Sequence, residues 1–300
     1  MKTVLAIDLG GTKLATAIVD ETGGIRARRK APVARESLAA TADQIAAEAA
    51  RCIAEAGPVH GAGVIVPGIY RARDGAAWAP NLWGDRYVAL NAALAERLPV
   101  PVRIDSDRAG YVLGEQWLGA ARGLSDVVFL AVGTGIGAGI LSGGRLIRGA
   151  GDIAGAVGWF ALQPEFKEAY KSTGCWEAEA AGPALARRAG AASAELVVEA
   201  ARRGEEKAQA AIAETVRYLA MGIANLVSLL NPEMVVLGGG LMQAGDLFLQ
   251  PVRRAVPQWA QPYSARQARI ELTALGESAG LLGAARLAQV GQASWPVSET

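Results

Sequence analysis

Short apolar runs alternate along the chain with longer stretches in which apolar residues recur every three or four positions, and the two patterns come in the same order twice. Val4–Leu9 reads as a buried strand, Leu14–Val19 as a returning strand, Glu21–Gly24 as a hairpin turn, and Ile25–Val33 as a third strand of basic and small residues. Ser37 can cap the helix that follows, which carries Ile45, Ala49, Cys52 and Ile53 on its apolar side. Ala62–Val66 is then a short buried strand ending at Pro67-Gly68, Tyr70–Asp85 a long irregular loop, Val88–Leu98 a helix and Val100–Ile104 a strand. A helix from Arg108 to about Arg122 closes this half.

The second half repeats the order. Strands at Val127–Val132, Ile136–Leu141 and Arg145–Arg148 precede a helical insertion and a long helix, Glu205–Leu230, with Ile212, Val216, Leu219, Ile223 and Val227 on one face. Strand Met234–Leu237, helix Leu241–Ala255, strand Arg269–Leu272 and helix Ser278–Ala288 complete it. Each half reads β-β-β-α-β-α-β-α, which predicts a duplicated α/β fold. The expected lobes are 1–122 and 123–290, the last helix being free to pack back on the first lobe, with a loose polar tail at 291–300.

An apolar share of 51% over 300 residues is ample for buried cores. Thirty Lys and Arg against 29 acidic residues leave a formal charge of +1, which argues against nucleic acid or an anionic membrane as partner. The two cysteines, Cys52 and Cys175, build no disulfide framework, and the N-terminus lacks the regions of a signal peptide, so a reducing cytoplasm is the default. The longest uncharged apolar stretch, Val127–Gly144, is broken by glycines and patterned as strand, which argues against a membrane span.

The candidate chemistry lies at the two strand ends. The first strand carries Asp8 to its end, and Gly10 and Gly11 then make a turn whose backbone N–H groups no side chain covers, a device for holding phosphate. Gly133-Thr134-Gly135 repeats the device after Val132, and two such turns suggest a nucleotide between the halves. The chain has no Gly-Lys dipeptide for a P-loop and no G-x-G-x-x-G spacing. Its only histidine, His60, is far in pattern from every motif, so histidine-based catalysis is not available.

From Asp8-Leu-Gly-Gly-Thr-Lys13 through Pro80-Asn81 and Gly133-Thr-Gly-Ile-Gly137 to Asn231-Pro232 and Leu237-Gly-Gly-Gly240, the chain resembles the sugar kinase, Hsp70 and actin superfamily, and within it the ROK family of bacterial sugar kinases. The resemblance implies two actin-like, ribonuclease H-like lobes, ATP with Mg²⁺ in the cleft, transfer of the γ-phosphoryl group to a sugar hydroxyl, and a homodimer. Asp107, in Ile104-Asp-Ser-Asp-Arg-Ala-Gly-Tyr-Val-Leu-Gly-Glu115, falls on the family's catalytic aspartate, although Asp105, Ser106 and Asp107 also sit where a helix N-cap is expected. The resemblance further implies that Asp8 orients Mg²⁺-bound water or the attacked phosphate and that Gly10, Gly11 and Thr12 contact the phosphoryl group. Gly133, Thr134 and Gly135 would hold the other phosphates, with Gly238, Gly239 and Gly240 against the adenosine. Lys13 has a weaker claim, as a solvated strand residue. Asn81 and Glu177 match family residues that bond sugar hydroxyls, and Trp78, Trp83, Trp159 and Trp176 fall in or beside these segments, one or two at most being expected to touch ligand.

Three departures matter. The family's usual glutamate and histidine are Ala156 and Trp159, so two hydrogen-bond partners on the acceptor side, near C1 and C2 of the sugar, are missing. That histidine normally ligates a zinc with a cysteine cluster of which only Cys175 remains, so no zinc is expected. Ser106, Arg108 and Ala109 around the base also differ from the family's residues. The expected function is an ATP-dependent kinase of a monosaccharide, amino sugar or cyclitol that uses free glucose poorly. Its rival is a non-catalytic sugar-binding regulator of the same fold, against which Asp107 and both phosphate turns argue.

Overall fold

The structure is a computed structural model that describes residues 2–290, so the tail expected at 291–300 lies outside the described residues. The chain divides into two units. Of the described residues, one takes 2–122, Arg148–Ile153 and 275–290; the other takes Gly123–Ile147 and Ala154–Ala274. The last helix thus groups with the first unit, as the sequence leaves it free to do, and so does the short internal segment Arg148–Ile153.

In the first unit β1 (Thr3–Leu9) is the middle strand, covered on both faces, which is why its residues are almost all apolar instead of alternating. β2 (Lys13–Asp20) returns antiparallel along it, and β3 (Ile25–Pro32) forms the edge, where Arg26, Arg28, Arg29 and Lys30 keep an open strand from pairing further. α1 (Leu38–Ala56) starts where the Ser37 side chain accepts the Ala40 N–H, and it crosses to β4 (Ala62–Val66), parallel to β1. The stretch expected as an irregular loop is instead a small antiparallel sheet of β5 (Ile69–Arg71), β6 (Ala76–Trp78) and β7 (Tyr87–Val88), with α2 (Pro80–Trp83) before its last strand. Strands this short leave no period-two signal. α3 (Leu90–Ala95) leads to β8 (Val102–Ser106), parallel to β4, and α4 (Asp107–Leu118) follows without a break.

The second unit's sheet has the same order. β9 (Val127–Val132), β10 (Ile136–Ser142) and β11 (Arg145–Leu146) are antiparallel, and β12 (Met234–Gly238) and β13 (Arg269–Leu272) continue it in parallel, giving β11-β10-β9-β12-β13 against β3-β2-β1-β4-β8. The insertion holds α5 (Tyr170–Thr173), α6 (Cys175–Ala180), α7 (Gly182–Ala189) and α8 (Ala194–Arg202). α9 (Glu206–Leu230) is long and apolar enough to cross a membrane by length and composition, yet 61% of its most apolar stretch is buried, as in a core helix. The helix expected from Leu241 is a 3₁₀ turn over Gly240–Ala244 followed by α10 (Gly245–Ala255), and α11 (Pro262–Gln267) precedes β13.

α12 (Ala279–Gln289) returns to the first unit and packs on α4, β1 and β4. Only glycine allows its approach: a Cβ on Gly283 would lie 1.9 Å from the Gly110 carbonyl oxygen of α4.

Candidate active site

The first unit brings Asp8, Asp107, Asn81 and the Gly10-Gly11 turn to the carboxyl ends of β1 and β8. Gly10 donates its N–H to the Lys13 carbonyl at 2.9 Å, which closes the turn. A Cβ on Gly11 would meet that of Asn81 at 3.7 Å, so α2 delivers Asn81 beside the turn. Thr12 and Lys13 are exposed next to it. Asp8 ends in a tight place, since a Cβ on Gly280 of α12 would lie 2.0 Å from its Oδ2. Burial, and then the charge of Asp107, push its carboxyl up to about 7 against the pull of Lys30 and Arg28.

Asp107 opens α4. The cap is Ser106, whose Oγ accepts the Ala109 N–H at 3.3 Å, and Asp107 instead accepts the Arg108 N–H on Oδ1 at 2.7 Å. The N-terminal turn thus orients the carboxylate through one oxygen and leaves capping to its neighbour. Burial raises its pKa, with the Arg108 guanidinium opposing. Arg108 is held in turn by the Gly68 carbonyl at 3.1 Å, on the turn after β4. Tyr111, one helical turn beyond Asp107, is a site neighbour that sequence reasoning did not single out: burial, then the charges of Asp8 and Asp107, drive its hydroxyl above the usual tyrosine range. Its spacing from Asp107 was the available signal.

In the second unit, the Gly133-Thr134-Gly135 turn joins β9 to β10. Gly133 donates to the Gly135 carbonyl at 2.9 Å, and its own carbonyl accepts the Gly182 N–H at 2.8 Å. Glu177 of α6 lies against this turn, accepting the Ile136 N–H at 2.6 Å, and burial raises its pKa. Beside the turn is a cavity of about 700 Å³ lined by Gly133, Thr134, Gly182, Ser193, Glu199 and Gly240, among others. Of the three glycines that end and follow β12, only Gly240 lines this space. Gly238 packs under the Phe129 ring, and Gly239, at φ 91°, lies against the Val132 backbone.

The tryptophans divide by burial. Trp176 is fully buried and stacked on Phe160 at 5.8 Å, and Trp83 is core with its Nε1 on Thr41; Trp78 is half-buried, and Trp159 is 56% exposed, near the half-buried Ala156. Among the described residues no three His, Cys, Asp or Glu side chains form a metal-holding group, and the Cys175 thiol accepts the Leu162 N–H at 3.4 Å. The insertion around Cys175 is tied by Glu179, which meets Lys167 at 2.6 Å and the Tyr170 hydroxyl at 2.5 Å. The Gly133-Thr134-Gly135 turn and the cavity beside it suit the phosphates of a nucleotide, and in the first unit Asp8 is the carboxylate that could hold a divalent cation.

Two sheets of one order, each with a glycine turn at a strand end, define an α/β protein of the actin-like superfamily. The ROK family model matches residues 4–290. A glucokinase of Streptomyces coelicolor is 33% identical over 96% of this chain and 98% of its own, and an N-acetylmannosamine kinase of Escherichia fergusonii is 33% identical over the same shares. The solved structure of a ROK family glucokinase from Streptomyces griseus in complex with glucose and AMPPNP matches at a TM-score of 0.80 and 30% identity, covering 96% of this chain and all of that one. The chain belongs to the ROK family. It is a carbohydrate kinase.

Proposed function

We propose that this kinase transfers the γ-phosphoryl group of ATP to a hydroxyl of a monosaccharide, amino sugar or cyclitol, with Asp107 as general base. The observation that carries the reading is the shared placement of Asp107, Asp8 and Asn81 beside the Gly10-Gly11 turn. Oδ1 of Asp107 is engaged by the helix backbone, and Oδ2 would accept the hydroxyl proton as the acceptor oxygen attacks. Gly10, Gly11 and Thr12 would hold the transferred group, while Gly133, Thr134 and Gly240 would line the place of the remaining phosphates and adenosine. Mg²⁺, when held at Asp8, would neutralise charge on the phosphoryl oxygens.

Asn81 and Glu177 would bond sugar hydroxyls. Ala156 and Trp159 offer no such bonds, so hydroxyls of free glucose would be left unpaired, and the preferred acceptor differs from glucose at its C1–C2 end. No zinc enters this reading, because Cys175 supplies a single thiolate.

The test is sugar-dependent ADP release from Mg-ATP across hexoses, amino sugars, N-acyl sugars and cyclitols. Turnover on a panel member, with a kcat/KM above that of glucose, is expected. Glucose exceeding every other acceptor would overturn the substrate reading; tight sugar binding without turnover would favour a non-catalytic regulator.

A further inference from the structure

Arg148 and Asp105 have no part in the chemistry above, yet they form an ion pair in which the carboxylate is buried. Asp105 is 4% exposed, and Arg148 reaches its Oδ2 with both Nε, at 3.1 Å, and Nη2, at 2.5 Å. The other oxygen, Oδ1, accepts the Ser106 N–H at 2.8 Å. Stability alone is a poor reason for such a pair, because burying the Asp105 carboxylate costs much of what its attraction to the partly exposed Arg148 returns.

Its attachments are more telling. Asp105 immediately precedes Ser106, the cap of α4, and Asp107 follows. Arg148 opens Arg148–Ile153, the internal segment of the second half that groups with the first unit. The segment is tied again near its far end, where Asp152 accepts the Ala72 N–H on Oδ2 at 3.1 Å. Asp152 holds φ at 57°, a conformation that a non-glycine residue keeps only when its surroundings demand it. Tyr70 lies within the electrostatic reach of both ties. The chain then runs directly into Ala154–Trp159, the stretch whose residues differ on the acceptor side.

We propose that Arg148 is a positioning residue: through Asp105 it sets the end of β8, and with it the Asp107 carboxylate, for the acceptor hydroxyl. This rests on the kinase reading above. A misplaced base and a released segment both weaken acceptor engagement, while the second unit's cavity is untouched. A purely structural pair would instead lower the melting temperature and leave the constants of the folded enzyme alone.

Arg148→Met, Arg148→Lys and Asp105→Asn are compared with wild type in steady-state ADP release, each variant checked for folding by circular dichroism. Arg148→Met is expected to raise the acceptor KM about tenfold or more and to lower kcat, with KM for ATP within about twofold. Arg148→Lys keeps the charge without the planar fork and recovers part of the loss. Added guanidinium ion partly restores Arg148→Ala and does nothing for Asp107→Asn. If Arg148→Met does not fold, Arg148→Lys and Asp105→Asn carry the same comparison. An acceptor KM unmoved in folded variants, with wild type active, overturns the inference; wild type lacking turnover on every sugar overturns the kinase reading itself.

Discussion

At the scale of single residues, the two aspartates of the first unit answer to different tests. Asp107→Asn keeps the helix start and the side-chain volume but removes the proton acceptor, so kcat should fall by about 10²–10⁴ while calorimetric sugar affinity is kept. A fall of only a few-fold would show that another group takes the proton. Asp8 is held near 7 from an ordinary 3.8, chiefly by burial. The folded chain therefore binds that proton more tightly than the unfolded one. Its stabilising effect is full below pH 3.8 and is lost as pH rises to about 7. Asp8→Asn should accordingly raise the melting temperature more at pH 8 than at pH 5, while turnover is lost. Equal shifts at both pH values would contradict the burial-driven shift.

At the scale of elements, the turns after β9 and β12 separate folding from binding. Gly239→Ala meets both a left-handed φ of 91° and the Val132 carbonyl at 2.5 Å from its new Cβ, and it should lower the melting temperature markedly. Gly240→Ala has no atom within 4 Å of its Cβ, so it should fold normally and raise KM for ATP, because the methyl projects toward the cavity. Steady-state kinetics and thermal melting on the two variants give the comparison; a stable Gly239→Ala would refute it. The main elements were legible because β1, β9 and α9 carry long local patterns, and Asp8, Asp107 and the glycine turns lie at their ends. The strands from Ile69 to Val88 were not, being too short for a period to show. Gly280 against Asp8, the reach of Tyr111 to Asp8 as well as to Asp107, and the grouping of Arg148–Ile153 with the first unit depend on segments far apart in sequence, which no local pattern records.

At the scale of the whole molecule, exposed large apolar side chains are concentrated on the second unit, where Trp159, Phe166, Leu196, Leu229, Trp259 and Tyr263 each show about half their surface or more. Such exposure suits a partner, and a homodimer is the expected one. Light scattering after gel filtration should give about 62 kDa, twice the 31.0 kDa chain, and a monomer mass at micromolar concentration would refute the dimer. The repeated sheet order conceals an asymmetry in time. The second unit can assemble from one nearly continuous stretch, whereas β1, β4 and α4 of the first wait for α12, made more than 150 residues after α4 ends. During synthesis on the ribosome, the half that emerges first is the half finished last. Asp8, against which Gly280 of that late helix lies in the finished protein, lacks that cover until α12 has been made and has docked.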